Sequence, residues 1–144
     1  MAQKEHPRVA AIDLGKARVG LAVSDELGWM AHVRPSLDGK SRKPLLRALA
    51  ALAEEEHIER FLVGLPLEMT GEEGPAAQRA IAFAHELHAA TSVEVVLVDE
   101  RLSTVEARRR LRDGGVKARA QKGRIDGASA AVILQSWLDG QRQA

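Results

Sequence analysis

Three places in the chain set a carboxylate where an apolar segment begins or ends. Asp13 stands near the end of Arg8 to Leu14 (R-V-A-A-I-D-L), just before Gly15. Asp99 and Glu100 end the run V-V-L-V-D-E and are followed by Arg101. Asp126 opens a segment in which Asp126, Ala130, Ile133 and Trp137 share one stripe at helical spacing. Each has an ordinary structural reading: a turn aspartate before a glycine, a surface acid–arginine cluster, and a helix cap. Together they make a hard-oxygen ligand set. Oxygen donors suit Mg²⁺ or Mn²⁺, and two such ions about 4 Å apart can activate a water and stabilise the leaving oxygen of an in-line phosphodiester attack. Asp13, Asp126 and one or both of Asp99 and Glu100 are thus the candidate metal ligands. Neighbouring residues of a strand point to opposite faces, so only one of the D-E pair is expected to face the site.

Cations accompany these acids. From Arg101 to Arg124 there are nine Lys or Arg against two acids, Glu106 and Asp113, a local balance of +7 that leaves −6 for the rest of a chain whose total is +1. A near-neutral protein with one concentrated basic segment has the electrostatics of a polyanion-facing surface. Lys122 and Arg124, just ahead of Asp126, are placed to hold a scissile phosphate. His85 and His88 are one helical turn apart, but no third ligand follows. The segment G-L-P-L-E-M-T-G (Gly64 to Gly71) leads from a strand tip towards a helix at Pro75, and its N–H groups could meet phosphate. A Walker-type phosphate loop is absent.

The elements that must position these residues are legible in outline. Arg8 to Leu14 and Arg18 to Ser24 read as an antiparallel strand pair, with a third strand near Met30 to Pro35. Pro44 opens a helix bearing Leu45, Leu49 and Leu52, and Arg60 to Leu65 is a buried strand stopped by Pro66. A helix runs from Pro75 to about Ala90, and Val93 to Asp99 is the fifth strand. Ser103-Thr-Val-Glu106 is a capping box, and Ile125 to Leu138 is the last helix. Strands alternating with helices after a hairpin imply an α/β sandwich with a mixed sheet, whose parallel strands bring their C-terminal ends to one ligand-binding edge.

Composition narrows the function classes. The 144 residues read as a single domain, 1–144, with no repeat or linker. Two Phe, two Trp and no Tyr argue against a binder that stacks bases on an aromatic platform. The lack of cysteine removes thiolate zinc sites and cysteine nucleophiles. With no membrane-spanning apolar run and a polar N-terminus, a cytoplasmic location without membrane association is expected.

Four of these segments, in order, resemble one family. D-L-G-K-A-R-V-G-L-A-V-S-D (Asp13 to Asp25), G-L-P-L-E-M-T-G, D-E-R-L-S-T (Asp99 to Thr104) and K-G-R-I-D-G-A-S-A-A-V-I-L-Q-S-W-L (Lys122 to Leu138) resemble the YqgF/RuvX family. Its members are RuvC-like proteins of RNase H-like fold, associated with pre-16S ribosomal RNA cleavage or Holliday-junction resolution. The resemblance implies a five-stranded sheet in order 3-2-1-4-5 with helices on both faces. It implies Asp13, an acid of the D-E-R motif and Asp126 as catalytic carboxylates, and Lys16, Arg18, Arg101, Thr104 and Lys122 as phosphate-side groups. The chain departs from the family pattern at Ala17, Glu68 and Ser129. In RuvC-type resolvases the second acid lies on the strand next to the first, whereas here that strand ends in Gly64-Leu65-Pro66. The D-E-R acid comes from one strand further out, so reach favours Glu100 over Asp99.

The leading expectation is a metal-dependent endonuclease acting on structured RNA, the 5′ end of pre-16S rRNA, alone or on a ribosomal particle. A Holliday-junction resolvase acting on branched DNA as a homodimer rather than a monomer is the second. A non-catalytic RNA-binding factor is the third, and an actin-like ATPase fails on length.

Overall fold

The computed structural model describes residues 7–102 and 125–143, with the side chains at 102, 125–127, 142 and 143 outside the description. Strands β1 (Arg8–Leu14), β2 (Arg18–Ser24), β3 (Ala31–Asp38), β4 (Ile58–Leu65) and β5 (Glu94–Asp99) form one sheet in the order β3-β2-β1-β4-β5. β1 and β2 pair antiparallel through the short turn at Gly15, and β3 continues the meander. β4 and β5 run parallel to β1 and its neighbour. Parallel pairing needs a crossover, which helices α1 (Arg42–Glu56) and α2 (Pro75–Thr91) provide. A single 3₁₀ turn, Glu100–Leu102, follows β5, and helix α3 (Ile125–Gln143) closes the described chain.

Two apolar layers sandwich the sheet. On one face Ile12, Leu21, Phe61 and Val63 pack with Leu45 and Leu49 of α1 and Phe83 and Leu87 of α2. On the other, Val9, Ala11, Ala22 and Leu62 meet Ala130, Ala131, Ile133, Leu134 and Leu138 of α3. The second layer is rich in alanine on both sides, so α3 lies close to β1 and β2. Its buried face is wider than one stripe. Ala130 and Ile133 are buried as their spacing predicts, and a parallel row of Ala131, Leu134 and Leu138 is buried beside them. A helix lying flat on a sheet covers an arc of at least about 100°. Gln135 is also fully buried, accepting from the Ala31 N–H at 3.0 Å and donating to the Trp29 carbonyl at 3.0 Å, which ties α3 to the β2–β3 turn.

β4 starts at Ile58 rather than Arg60 and the last helix runs on to Gln143 rather than Leu138, and two further boundaries differ from the sequence reading for clear reasons. β3 extends past Pro35 to Asp38 because it is an edge strand, with a register irregularity opposite Val19 to Leu21. Edges and bulges are where a proline can sit without breaking a ladder. α1 begins at Arg42 rather than Pro44, because the first turn of a helix has N–H groups without intrahelical partners and tolerates proline there. The capping box at Ser103 to Glu106 lies outside the described residues.

Candidate active site

Strand alternation decides which acids can meet. Ala10 and Ile12 of β1 point to the α1/α2 layer, and Val9 and Ala11 point to α3. Asp13 therefore falls on the α3 face, half-buried near the C-terminal tip of β1. On β4, Phe61 and Val63 face α1/α2 while Leu62 faces α3, so Gly64 shares the face of Asp13. The parallel register pairs Ile12 with Val63, and the next residue along each strand is Asp13 and Gly64 respectively. Val98 of β5, paired with Gly64, packs in the α3 layer as well.

Gly64 is the feature that makes the site possible. A Cβ there would lie 3.1 Å from both Cγ and Cδ of Glu100 and 2.9 Å from Cδ1 of Ile133. Glu100 thus leaves the 3₁₀ turn beyond β5 and lays its side chain across the bare backbone of β4 towards Asp13. Burial, then the charge of Asp13, then that of Asp99, push the Glu100 carboxyl above the usual glutamate range. Two carboxylates facing each other in a partly desolvated recess are a negative oxygen site that a divalent cation would relieve. Among the described residues no group of three or more His, Asp or Glu side chains is gathered closely enough to hold a metal. The third expected carboxylate, Asp126, has a side chain outside the description. Its backbone lies in the first turn of α3, seven residues before Ile133, or roughly 10 Å along the axis.

This arrangement has a pH consequence. A carboxyl whose folded-state pKa is raised costs stability when ionised. That cost is present above the folded pKa and disappears as pH falls towards the unfolded value. In metal-free buffer, Glu100→Gln is therefore expected to melt at a higher temperature than the parent chain at pH 7. The gap should narrow as pH drops towards the ordinary glutamate range. Thermal melts in EDTA from pH 7 to 4 measure it, and a variant that melts lower at pH 7 would contradict the strained-carboxylate picture.

Asp99 goes a different way. Its Oδ1 accepts the Arg101 backbone N–H at 2.9 Å, and its two oxygens take the guanidinium through Nε at 3.1 Å and Nη2 at 2.8 Å. These bonds hold the Asp99 carboxyl below the usual aspartate range and the Arg101 guanidinium above its own. The far side of that guanidinium reaches the Met69 carbonyl at 3.5 Å. Asp99 thus aims Arg101 at the β4–α2 loop, the G-L-P-L-E-M-T-G segment. That loop is folded on itself by the Gly71 N–H to Glu68 carbonyl bond at 2.8 Å and the Glu68 N–H to Glu72 carbonyl bond at 2.9 Å. The sequence reads equally well here as a plain connection or as a loop whose N–H groups meet phosphate. The segment carries Met69 to 98% exposure beside Arg101, and nothing in residue type alone marks that.

The structure brings Asp13 and Glu100 together, places Asp99 on Arg101, and leaves Lys16 and Arg18 exposed on the β1–β2 turn. Thr104, Lys122 and Arg124 lie outside the described residues. The sequence marks Gly64 as the end of an acid-free strand and the start of the G-L-P-L-E-M-T-G segment, not as a crossing point for Glu100. The signal that could have found it is the need for an outer-strand acid to cross that strand.

The sheet order and the helices packed on its two faces define an RNase H-like fold, shared with RuvC. Thermus thermophilus RuvC, solved in complex with a Holliday junction substrate, matches over 96% of this chain and 98% of its own, with a TM-score of 0.66 at 15% identity. The fowlpox virus Holliday junction resolvase matches over 92% of this chain and 99% of its own, with a TM-score of 0.56 at 11% identity. More narrowly, the RuvX family, described as Holliday junction resolvase, matches residues 7–140, and the chain belongs to it. A protein of Anaeromyxobacter sp. (strain Fw109-5) is 48% identical over 134 residues, covering 93% of this chain and 98% of its own, and bears the name "Putative pre-16S rRNA nuclease". A protein of Edwardsiella ictaluri with the same name is 41% identical over 137 residues, covering 94% and 98%.

Proposed function

We propose that the protein is a metal-dependent endonuclease that hydrolyses phosphodiester bonds, with the 5′ end of pre-16S rRNA as its substrate. The observation that carries this reading is the approach of Glu100 to Asp13 across Gly64. Such a site is costly to the fold and useful to phosphodiester chemistry. In this reading Asp13, Glu100 and Asp126 are the ligands of Mg²⁺ or Mn²⁺, taken as two ions. When bound, these supply a lowered pKa for the attacking water and charge stabilisation for the leaving oxygen. Asp99 acts as a positioning residue for Arg101. Lys16, Arg18, Arg101, Thr104, Lys122 and Arg124 bind the sugar–phosphate chain. The chain works as one unit, 1–144, in the cytoplasm, as a monomer or homodimer, on RNA free or within a ribosomal particle. Among the described residues no helix is long and apolar enough to cross a membrane.

The second reading is junction resolution, favoured by the family's description and by the likeness to RuvC. It requires two sites and hence a dimer. Labelled precursor 16S RNA and a four-way DNA junction, each incubated with Mn²⁺, Mg²⁺ or EDTA, separate the two. Cutting of the RNA alone supports maturation, and paired cuts in the junction by a dimer support resolution. Metal-independent binding without cutting of either would leave a binding factor.

A further inference from the structure

The described lysines are Lys16, Lys40 and Lys43, and all lie at two neighbouring turns, β1–β2 and β3–α1, with Arg18 beside them. The turns are joined directly. The Gly39 N–H donates to the Ala17 carbonyl at 2.8 Å, and a Cβ on Gly39 would meet Cγ2 of Val19 at 2.9 Å and the Ala17 oxygen at 3.4 Å. A cleft of about 410 Å³ opens on them, lined by Ala17, Arg18, Ser36, Leu37, Asp38 and Lys40. Its one carboxylate, Asp38, already accepts the Lys40 backbone N–H at 2.8 Å.

Among the described residues, exposed Arg47 on α1 and Arg79 on α2 stand singly without an ion pair, whereas at these turns several such cations gather on one cleft. Arg8, Arg34, Arg42, Arg60 and Arg101 each have a carboxylate within ion-pair distance. Among the described residues, Lys16, Arg18 and Lys40 have none, and all three are exposed. Arg42 and Lys43 also stand in the first turn of α1, which contains no acid, although a helix start favours acids. Neither surface ion pairing nor helix stability explains the charges of Lys16, Arg18 and Lys40. A polyanion does.

The cleft also lies along a line from the site. Asp13 pairs with Gly20, and Arg18, two residues before Gly20 on β2, is on the same face. Arg18 pairs in turn with Asp38 of β3. We infer that this cleft is a second phosphate-binding subsite, with Lys40 as its outer contact. It would take the sugar–phosphate backbone of the nucleic acid strand flanking the scissile bond as that strand crosses β2 towards the β3 edge. The inference rests on the nuclease reading for its ligand, but Lys40 contributes nothing to the chemistry itself.

The test is the salt dependence of binding, measured by anisotropy with a labelled RNA hairpin in EDTA, where no cutting occurs. Each lost phosphate contact makes the log–log salt slope shallower by about 0.9. Between about 50 and about 200 mM salt, the parent chain should therefore lose roughly threefold more affinity than Lys40→Ala. Lys40→Arg should restore the parent slope, and Lys40→Glu should flatten it further. Trimming the hairpin's flanks to the nucleotides around the stem should abolish the difference between Lys40→Ala and the parent. An unchanged slope in Lys40→Ala, or an equal loss on trimmed and untrimmed RNA, overturns the subsite. A parent chain that cuts nothing with Mg²⁺ or Mn²⁺ while Lys40→Ala still flattens the slope would overturn the nuclease reading and leave the subsite standing.

Discussion

Asp13→Asn is expected to reduce Mg²⁺- or Mn²⁺-dependent cleavage by roughly a thousandfold or more while leaving the fold intact. Asp13 sits half-buried near the tip of the central strand, on the face that also carries Gly64 and Glu100. Removing one ligand charge from a site that stabilises developing charge is worth several kcal/mol, and about 1.4 kcal/mol is a factor of ten in rate. Asparagine keeps the size and hydrogen-bonding shape of the side chain. It also removes the charge that raises the Glu100 carboxyl, so the variant should melt no lower than the parent in EDTA. Single-turnover cleavage with parallel melts measures both effects. Cleavage near the parent rate by a folded Asp13→Asn would remove Asp13 from the chemistry and, with it, the two-carboxylate site.

Gly64→Ala is expected to produce the next largest effect, from a residue that has no functional group. Its new methyl would stand 3.1 Å from Glu100 Cγ and Cδ and 2.9 Å from Ile133 Cδ1. The isoleucine contact is with the far end of a side chain that can turn, so the stability cost is about 1 kcal/mol, at the low end for overpacking. The glutamate cannot yield without leaving its path to Asp13. A misplacement of about 1 Å at a reacting centre can cost about 10²-fold, and a fall in kcat of that order is the expected result. Gly64→Val should lose more activity and more stability. An alanine variant that cuts at the parent rate would show that the chemistry does not need Glu100 laid across β4. Asp99→Asn offers a contrast. It weakens the fork that holds Arg101 and removes only the smallest of the three influences on Glu100, leaving its path across Gly64 in place, so its loss is expected in KM more than in kcat.

Much of this protein follows from local pattern. The short apolar runs of R-V-A-A-I-D-L and R-V-G-L-A-V-S, the short turn between them, and the strand–helix–strand rhythm after Pro44 determine the elements. Acids placed where apolar runs stop mark an edge of the sheet, since a carboxylate inside such a run would be buried at a cost. The sequence also made the choice between Asp99 and Glu100 a question of reach.

What required the tertiary structure is what depends on residues far apart in the chain being stacked. That Glu100 can reach inward depends on β4 presenting a glycine at one register position, and register is set by side-chain packing across the whole sheet. The engagement of Asp99 by Arg101, and of Arg101 by the Met69 carbonyl, joins parts of the chain about thirty residues apart. Arg18 and Lys40 look scattered in sequence and line one cleft where the Gly39 N–H bonds the Ala17 carbonyl and joins the two turns. Residue type and period fix what a segment becomes. Which segments meet, and therefore which charges confront each other, is decided by the packing of the sheet and its two layers.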